Sequence, residues 1–216
     1  VTIMTLTLDP ATGAYTVVQN AASIHESGAD ENNQMFTVSY KVTDSDTDYD
    51  IGDLNIMLND DTPTTSRNAI VQLDDDALAG GNAGGIGDVN PDVVNATGTL
   101  AHSFGADGAG AIVWLTTGAP SGFAYELSGE TLLVKQGSTA VMTLTVDSLT
   151  GEYSVVQNAP VAHEAGLDEN DQSFSITYQV TDGDNDPATG ILLVDINDDT
   201  PYVSGNAVVQ LDDDAL

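Results

Sequence analysis

Phe174-Ser175-Ile176-Thr177-Tyr178-Gln179-Val180-Thr181 places an apolar side chain at every second position. A period of two marks an extended strand with one face on a core and the other in water. Phe36-Thr37-Val38-Ser39-Tyr40-Lys41-Val42-Thr43 has the same pattern. Outward from these, residues 3–9 and 14–18 alternate around a Thr12-Gly13 turn, and 143–147 and 152–156 around Thr150-Gly151, which are hairpin signatures. Residues 54–58 and 191–196 are apolar runs that end in acidic clusters. The stretch 74–94, rich in Gly, Asn and Asp, predicts a loop, followed by strands at 99–104, 111–116, 123–127 and 131–135. No segment keeps apolar residues at helical spacing between caps. Many short strands parted by turns predict an all-β chain built of antiparallel β-sandwiches.

The chain repeats itself. A shift of 138 positions lays residues 4–78 on 142–216 without a gap, and about 45 of those 75 pairs are identical. Two divisions fit that period. The unit either ends at Asn-Asp-Asp-Thr-Pro or ends near Asp-Asp-Asp-Ala-Leu, the latter making 1–78 and 139–216 equivalent modules. The first is preferred, because a proline after a final strand is a natural stop. It predicts the C-terminal part of one repeat at 1–63, a complete repeat at 64–201 and the first strand of another at 202–216. Opening mid-strand at Val1 without a signal-peptide pattern, the sequence reads as an excerpt of a longer protein.

Against 34 acidic residues stand only Lys41, Arg67 and Lys135, for a formal net charge of -31. Such a charge repels nucleic acid and anionic membrane surfaces. There is no cysteine, so disulfides and thiolate metal chemistry are excluded. No apolar run approaches the roughly 18 residues of a membrane span. A halophile's surface would spread its acids, whereas here they cluster.

Clustered carboxylates need a cation, and a hard divalent ion with oxygen ligands, calcium above all, suits them. The first candidates follow the apolar runs: Asn59, Asp60 and Asp61, with Asp195, Asn197, Asp198 and Asp199 in the second copy. Next come the D-x-D-x-D runs Asp44, Asp46, Asp48 and Asp182, Asp184, Asp186, whose alternate side chains converge from a turn. Then come Asp74, Asp75 and Asp76 and their counterparts Asp212, Asp213 and Asp214, expected to reach a joint from the neighbouring domain's first strand. Glu26 and Glu164, each after a histidine, and the triplets Asp30-Glu31-Asn32 and Asp168-Glu169-Asn170 recur at one spacing, either completing the ion sites or serving as plain loop chemistry. Asp88 and Asp92 are further possible ligands in the single-copy loop.

Other chemistries are poorly served. The twelfth position of each D-x-D-x-D run is Asn55 or Leu193 rather than the Glu of an EF-hand. HExxH is absent, which argues against zinc at His25 and His163. Gly84-Gly85-Ile86-Gly87-Asp88 hints at the glycine-aspartate β-helix but occurs once, with its Asp out of place. Neither a G-x-S-x-G elbow, a P-loop nor a cysteine nucleophile is present, so no enzyme is expected.

Val194-Asp195-Ile196-Asn197-Asp198-Asp199-Thr200-Pro201 is similar to the calcium-binding D-x-N-D-N-x-P linker of cadherins. The first copy departs from it, with Met57 at the position of Asp195. A longer resemblance links residues 71–92, 98–110 and 173–201 to consecutive blocks of the tandem repeats of giant bacterial RTX adhesins exported by type I secretion. That resemblance implies immunoglobulin-like sandwiches in series, stiffened by calcium at and near their linkers, on the bacterial cell surface. The implied role is an extender that projects distal ligand-binding domains for adhesion and biofilm formation. The implied partners are neighbouring repeats of the same chain, with no nucleic acid, no membrane insertion and an unnamed distal receptor. The alternative is an adhesive module in which calcium bridges the protein to a sugar or peptide.

Overall fold

The computed structural model describes residues 1–28, 31–166, 168–211 and 213. Two hairpins come first: β1 (Met4–Leu8) with β2 (Tyr15–Gln19), and β3 (Gln34–Thr43) with β4 (Tyr49–Leu58). Short β5 (Thr64–Thr65) leads to β6 (Val71–Asp74) and a 3-10 turn over Asp75–Ala77. After an irregular loop come β7 (Asn95–Thr99), β8 (His102–Ser103), β9 (Ala109–Trp114), β10 (Phe123–Ser128) and β11 (Thr131–Gln136). The chain then forms β12 (Thr139–Val146), β13 (Glu152–Gln157), β14 (Gln172–Asp182) and β15 (Pro187–Asn197).

Nine of these strands make a sandwich. One sheet has the order β10-β11-β12-β13-β7 and the other β6-β15-β14-β9, all antiparallel except β6, which runs parallel to β15. The alternation at Phe174, Ile176, Tyr178 and Val180 aims those side chains at the facing sheet, where each is 0% exposed. They meet Leu132, Val134, Met142, Leu144 and Val155, also fully buried. Burying each such aliphatic side chain contributes about 1.5–3 kcal/mol. The Phe123 and Phe174 rings join the sheets edge to face at 4.9 Å. Gly190 lies opposite Tyr178 in the β14–β15 register, and a Cβ there would collide with the tyrosine ring. Gly52 serves Tyr40 in the same way.

The first copy forms the same hairpins with a different degree of cover. Tyr40 is 45% and Val42 61% exposed, whereas Tyr178 and Val180 are 0%. The difference lies in the second layer: β14 is flanked by β9 and faced by β10 to β13, while among the described residues β3 pairs only with β4.

The all-β expectation agrees with this architecture, with differences in detail. The strand expected over 99–104 is broken after Thr99, because side chains replace the ladder there. The Ala101 amide donates to Asn68 Oδ1 (2.7 Å) and its carbonyl accepts from the Tyr178 hydroxyl (2.9 Å). Residues 202–211 are not in a strand, and of the rest of 202–216, read above as the first strand of another repeat, only Asp213 is described.

Candidate metal centres

The turn between β14 and β15 is shaped by its own carboxylates. Asp182 Oδ1 accepts the Asp186 amide at 2.8 Å, and Asn185 takes a left-handed φ of 74°. Asp182, Asp184 and Asp186 thus bring oxygens within 4.8 Å of one another while 1%, 4% and 0% exposed. Asp44, Asp46 and Asp48 form the same turn, with Asp44 Oδ1 accepting from the Asp46 and Asp48 amides, yet all three lie in solvent. Local sequence sets the turn and tertiary cover sets the burial.

The cover comes from the segment after β4. Asp60, 5% exposed, brings a carboxylate oxygen within 4.8 Å of those of Asp107 and Asp184. The His25 amide donates to Asp184 Oδ2 (3.3 Å), and its ring Nδ1 donates to Asn32 O (2.7 Å), 3.7 Å from Asp60 Oδ2. Asp61 accepts the Ala106 amide and packs so closely on Gly105, at φ 80°, that a Cβ there would strike its carboxylate. Asn185 donates to Ser27 Oγ at 3.0 Å. Two segments nearly 160 positions apart thereby share one acidic pocket.

At the opposite end of β15, Asp75, His163 and Asp198 converge. Eleven residues of strand separate the two ends by roughly 33 Å. His163 and Asp198 are the 138-position counterparts of His25 and Asp60, so the same chemistry stands at both ends. Asp75 Oδ2 accepts the Val161 amide (3.1 Å) and lies 3.3 Å from His163 Nε2, while Gln157 donates to Oδ1. Asp74, Asp75 and Asp76 were expected to reach the joint preceding their own sandwich. The parallel β6–β15 pairing, with Asp74 beside Asn197, carries them to its other end.

The remaining candidates lie outside these two groups. Asp195 lies on the face of β15 away from the core, opposite Ser173, and joins no cluster among the described residues. Asn197 Oδ1 accepts the Val89 amide (3.0 Å), and Asn59 donates to Glu31 Oε2 (2.7 Å). Asp199 holds the Asn82 amide at 3.0 Å. Glu26 and Glu164 are exposed, and their backbone carbonyls accept from Asn32 and Asn170. Asp213 is exposed; Asp212 and Asp214, like Asp30, lie outside the described residues. Asp107 carries no repeat signal, because it belongs to the single-copy stretch; only its setting among turn glycines at 105 and 108 marks it.

Lys135 is committed to Glu126, and among the described residues no lysine or arginine pairs with a cluster acid. Two like charges 4 Å apart repel by about 4 kcal/mol near a protein surface. Desolvation by burial, then the adjoining Asp184 carboxyl, pushes Asp182 up to about 6. Burial, then the Asp184 charge, raises Asp107. Burial likewise takes Asp74 to about 6 and Asp76 to about 7. At His163 burial acts downward, but the Asp75 hydrogen bond and the charges of Asp198 and Asp75 outweigh it.

The sign of the pH dependence follows. Carboxyls raised above their ordinary 3.8 favour the folded state while protonated, and that stability is lost as pH rises through 6 to 7. A raised histidine acts in the same direction. In a chelator the melting temperature is therefore expected to be several degrees higher at pH 5 than at pH 8, by calorimetry. A flat profile would show that the clusters are not desolvated.

The fold and these centres define an all-β sandwich domain with buried acidic pockets at both ends. The family model described as Domain of unknown function (DUF5801) matches residues 70–196, more than half of the chain, and the chain belongs to that family. No curated protein and no solved structure matches it.

Proposed function

We propose that this chain is a calcium-stiffened extender segment of a bacterial cell-surface adhesin, made of tandem sandwich repeats that hold distal binding domains away from the cell. One observation carries the reading: Asp60, from the segment after β4, shares a buried pocket with Asp107 and Asp184 of the following sandwich. A carboxylate pocket built from two successive units is a joint. The residues fit calcium, which takes 6–8 oxygens and no sulfur. Asp60 Oδ2, Asp107 Oδ2, Asp182 Oδ2 and Asp184 Oδ1 are buried oxygens without a hydrogen-bond partner among the described residues.

Asp60, Asp107, Asp182, Asp184 and Asp186 would hold the ion, which supplies the positive charge that the chain itself lacks. The residues position the joint without it. The 64–68 segment is stitched to the sandwich edge by β5–β8 pairing and by Asn68, which donates to Tyr178 and the Ile191 carbonyl. What the carboxylates add is a switch in stiffness, repelling one another when bare and drawn together when neutralised. Asp75, His163 and Asp198 would present the same joint to a further repeat.

The resemblance to RTX adhesin repeats supports placement outside the cell. Among the described residues no helix is long and apolar enough to cross a membrane. Small-angle scattering tests the reading: calcium should lengthen and straighten the particle relative to EDTA. Identical scattering in both would remove the mechanical role.

A further inference from the structure

The loop between the 3-10 turn and β7 occurs once in this chain, and it covers a second acidic group. Asp74, Asp88 and Asp92 bring carboxylate oxygens within 4.8 Å of one another. Asp74 is 1% exposed; its Oδ1 accepts the Asp76 amide, while Oδ2 has no partner among the described residues. Asp88 Oδ1 and Asp92 Oδ1 are also buried without a partner.

Glu169 supplies the independent observation. It is 7% exposed, and neither carboxylate oxygen has a hydrogen-bond partner among the described residues. It lies against the loop that carries Asp88, at Gly85 and Gly87. A carboxylate buried with both oxygens unpaired calls for a counter-charge. The loop backbone is fitted over it. A Cβ on Gly85 would collide with the Glu169 carboxylate, and one on Gly87, at φ 109°, would press on its backbone carbonyl. The glycines that hint at a β-helix motif in the sequence are spacers that let the loop settle onto a glutamate. In the first copy the counterpart Glu31 is exposed and accepts a hydrogen bond from Asn59.

Hydrogen bonds tie the loop at Asn82 to Asp199 and Thr200, at Gly84 to Asp76 Oδ2 (3.1 Å), at Val89 to Asn197, at Val93 O to the Asp74 amide (3.0 Å) and at Val94 O to the Gln157 amide (2.7 Å), while residues 85–88 are held by the packing on Glu169. We infer that Asp74, Asp88 and Asp92, with Glu169 beside them, bind a divalent cation inside the sandwich end, and that this ion fastens the 79–94 loop. All donors are carboxylate oxygens, which selects a hard ion, calcium before zinc. The site lies within one unit and needs no neighbouring repeat, so it stands or falls separately from the joint.

The test uses the 216-residue chain with calcium alone as the probe, read by equilibrium dialysis and by hydrogen exchange of the 79–94 amides. In the parent chain calcium should slow exchange across the loop by about tenfold or more. The double variant Asp88→Asn with Asp92→Asn should bind one calcium fewer and lose that protection, while its scattering still responds to calcium. Glu169→Gln, which keeps shape and removes one charge, should weaken the same site. Asp60→Asn with Asp184→Asn should do the reverse, losing the scattering response and keeping loop protection. Unchanged stoichiometry and loop exchange in D88N/D92N would overturn the inference. So would loss of loop protection in the joint variant alone.

Discussion

Calcium added to the metal-free protein is expected to raise its melting temperature by on the order of 15 °C. An ion that binds only the folded state contributes about 2.7 kcal/mol per site at a free concentration a hundred times its Kd. Two such sites give about 5 kcal/mol, and a domain of this size gains roughly 3 °C per kcal/mol. The cause is the set of buried carboxylates at both ends of the sandwich, which in the metal-free state relieve their repulsion only by taking up protons. Scanning calorimetry at pH 7.5 in EDTA and then in excess calcium measures it. Superimposable transitions would leave the acids as mere surface charge.

Asp184→Asn is expected to have the largest effect of any single substitution on the joint. Asp184 belongs to two oxygen groups at once, one with Asp182 and Asp186 and one with Asp60 and Asp107. Removing its charge should weaken calcium binding there by about tenfold or more, at least about 1.4 kcal/mol, and abolish straightening at moderate calcium. Nature supplies the control within the same chain. Asp46 is its counterpart 138 residues earlier, in the same turn but exposed. Asp46→Asn should leave both melting and scattering as they are. Equal effects from the two variants would mean that the turn motif, rather than the shared pocket, governs the response.

How far the sequence reveals this structure depends on the reach of each interaction. The period-two pattern of Phe174 to Val180 is a local signal, and so are the Thr-Gly hairpin turns, so β14 and the hairpins are readable. The pairing of β6 with β15 joins residues over 120 positions apart with four residue pairs, and no local pattern encodes it. The same division holds for the sites. Asp182, Asp184 and Asp186 declare themselves by spacing, and Asp60 by its place after an apolar run. Asp107 does not, and the recurring triplet around Glu169 leaves a ligand and plain loop chemistry equally open, because both roles depend on which backbone packs over them. Asp195 misleads for the opposite reason: it completes a motif on paper, but strand alternation points it away from the clusters.

The parallel neighbours β6 and β15 also determine how the sandwich bears load. β6 opens the unit and β15 closes it, and both run in one direction with Val71 beside Val194 and Asp74 beside Asn197. Tension applied where the chain enters and leaves drags these two strands past each other lengthwise. Their hydrogen bonds are then stressed side by side in shear, all at once, instead of peeling open in turn as a hairpin pulled from its free ends would. In the extender proposed above, each unit would resist extension with every bond of that seam together.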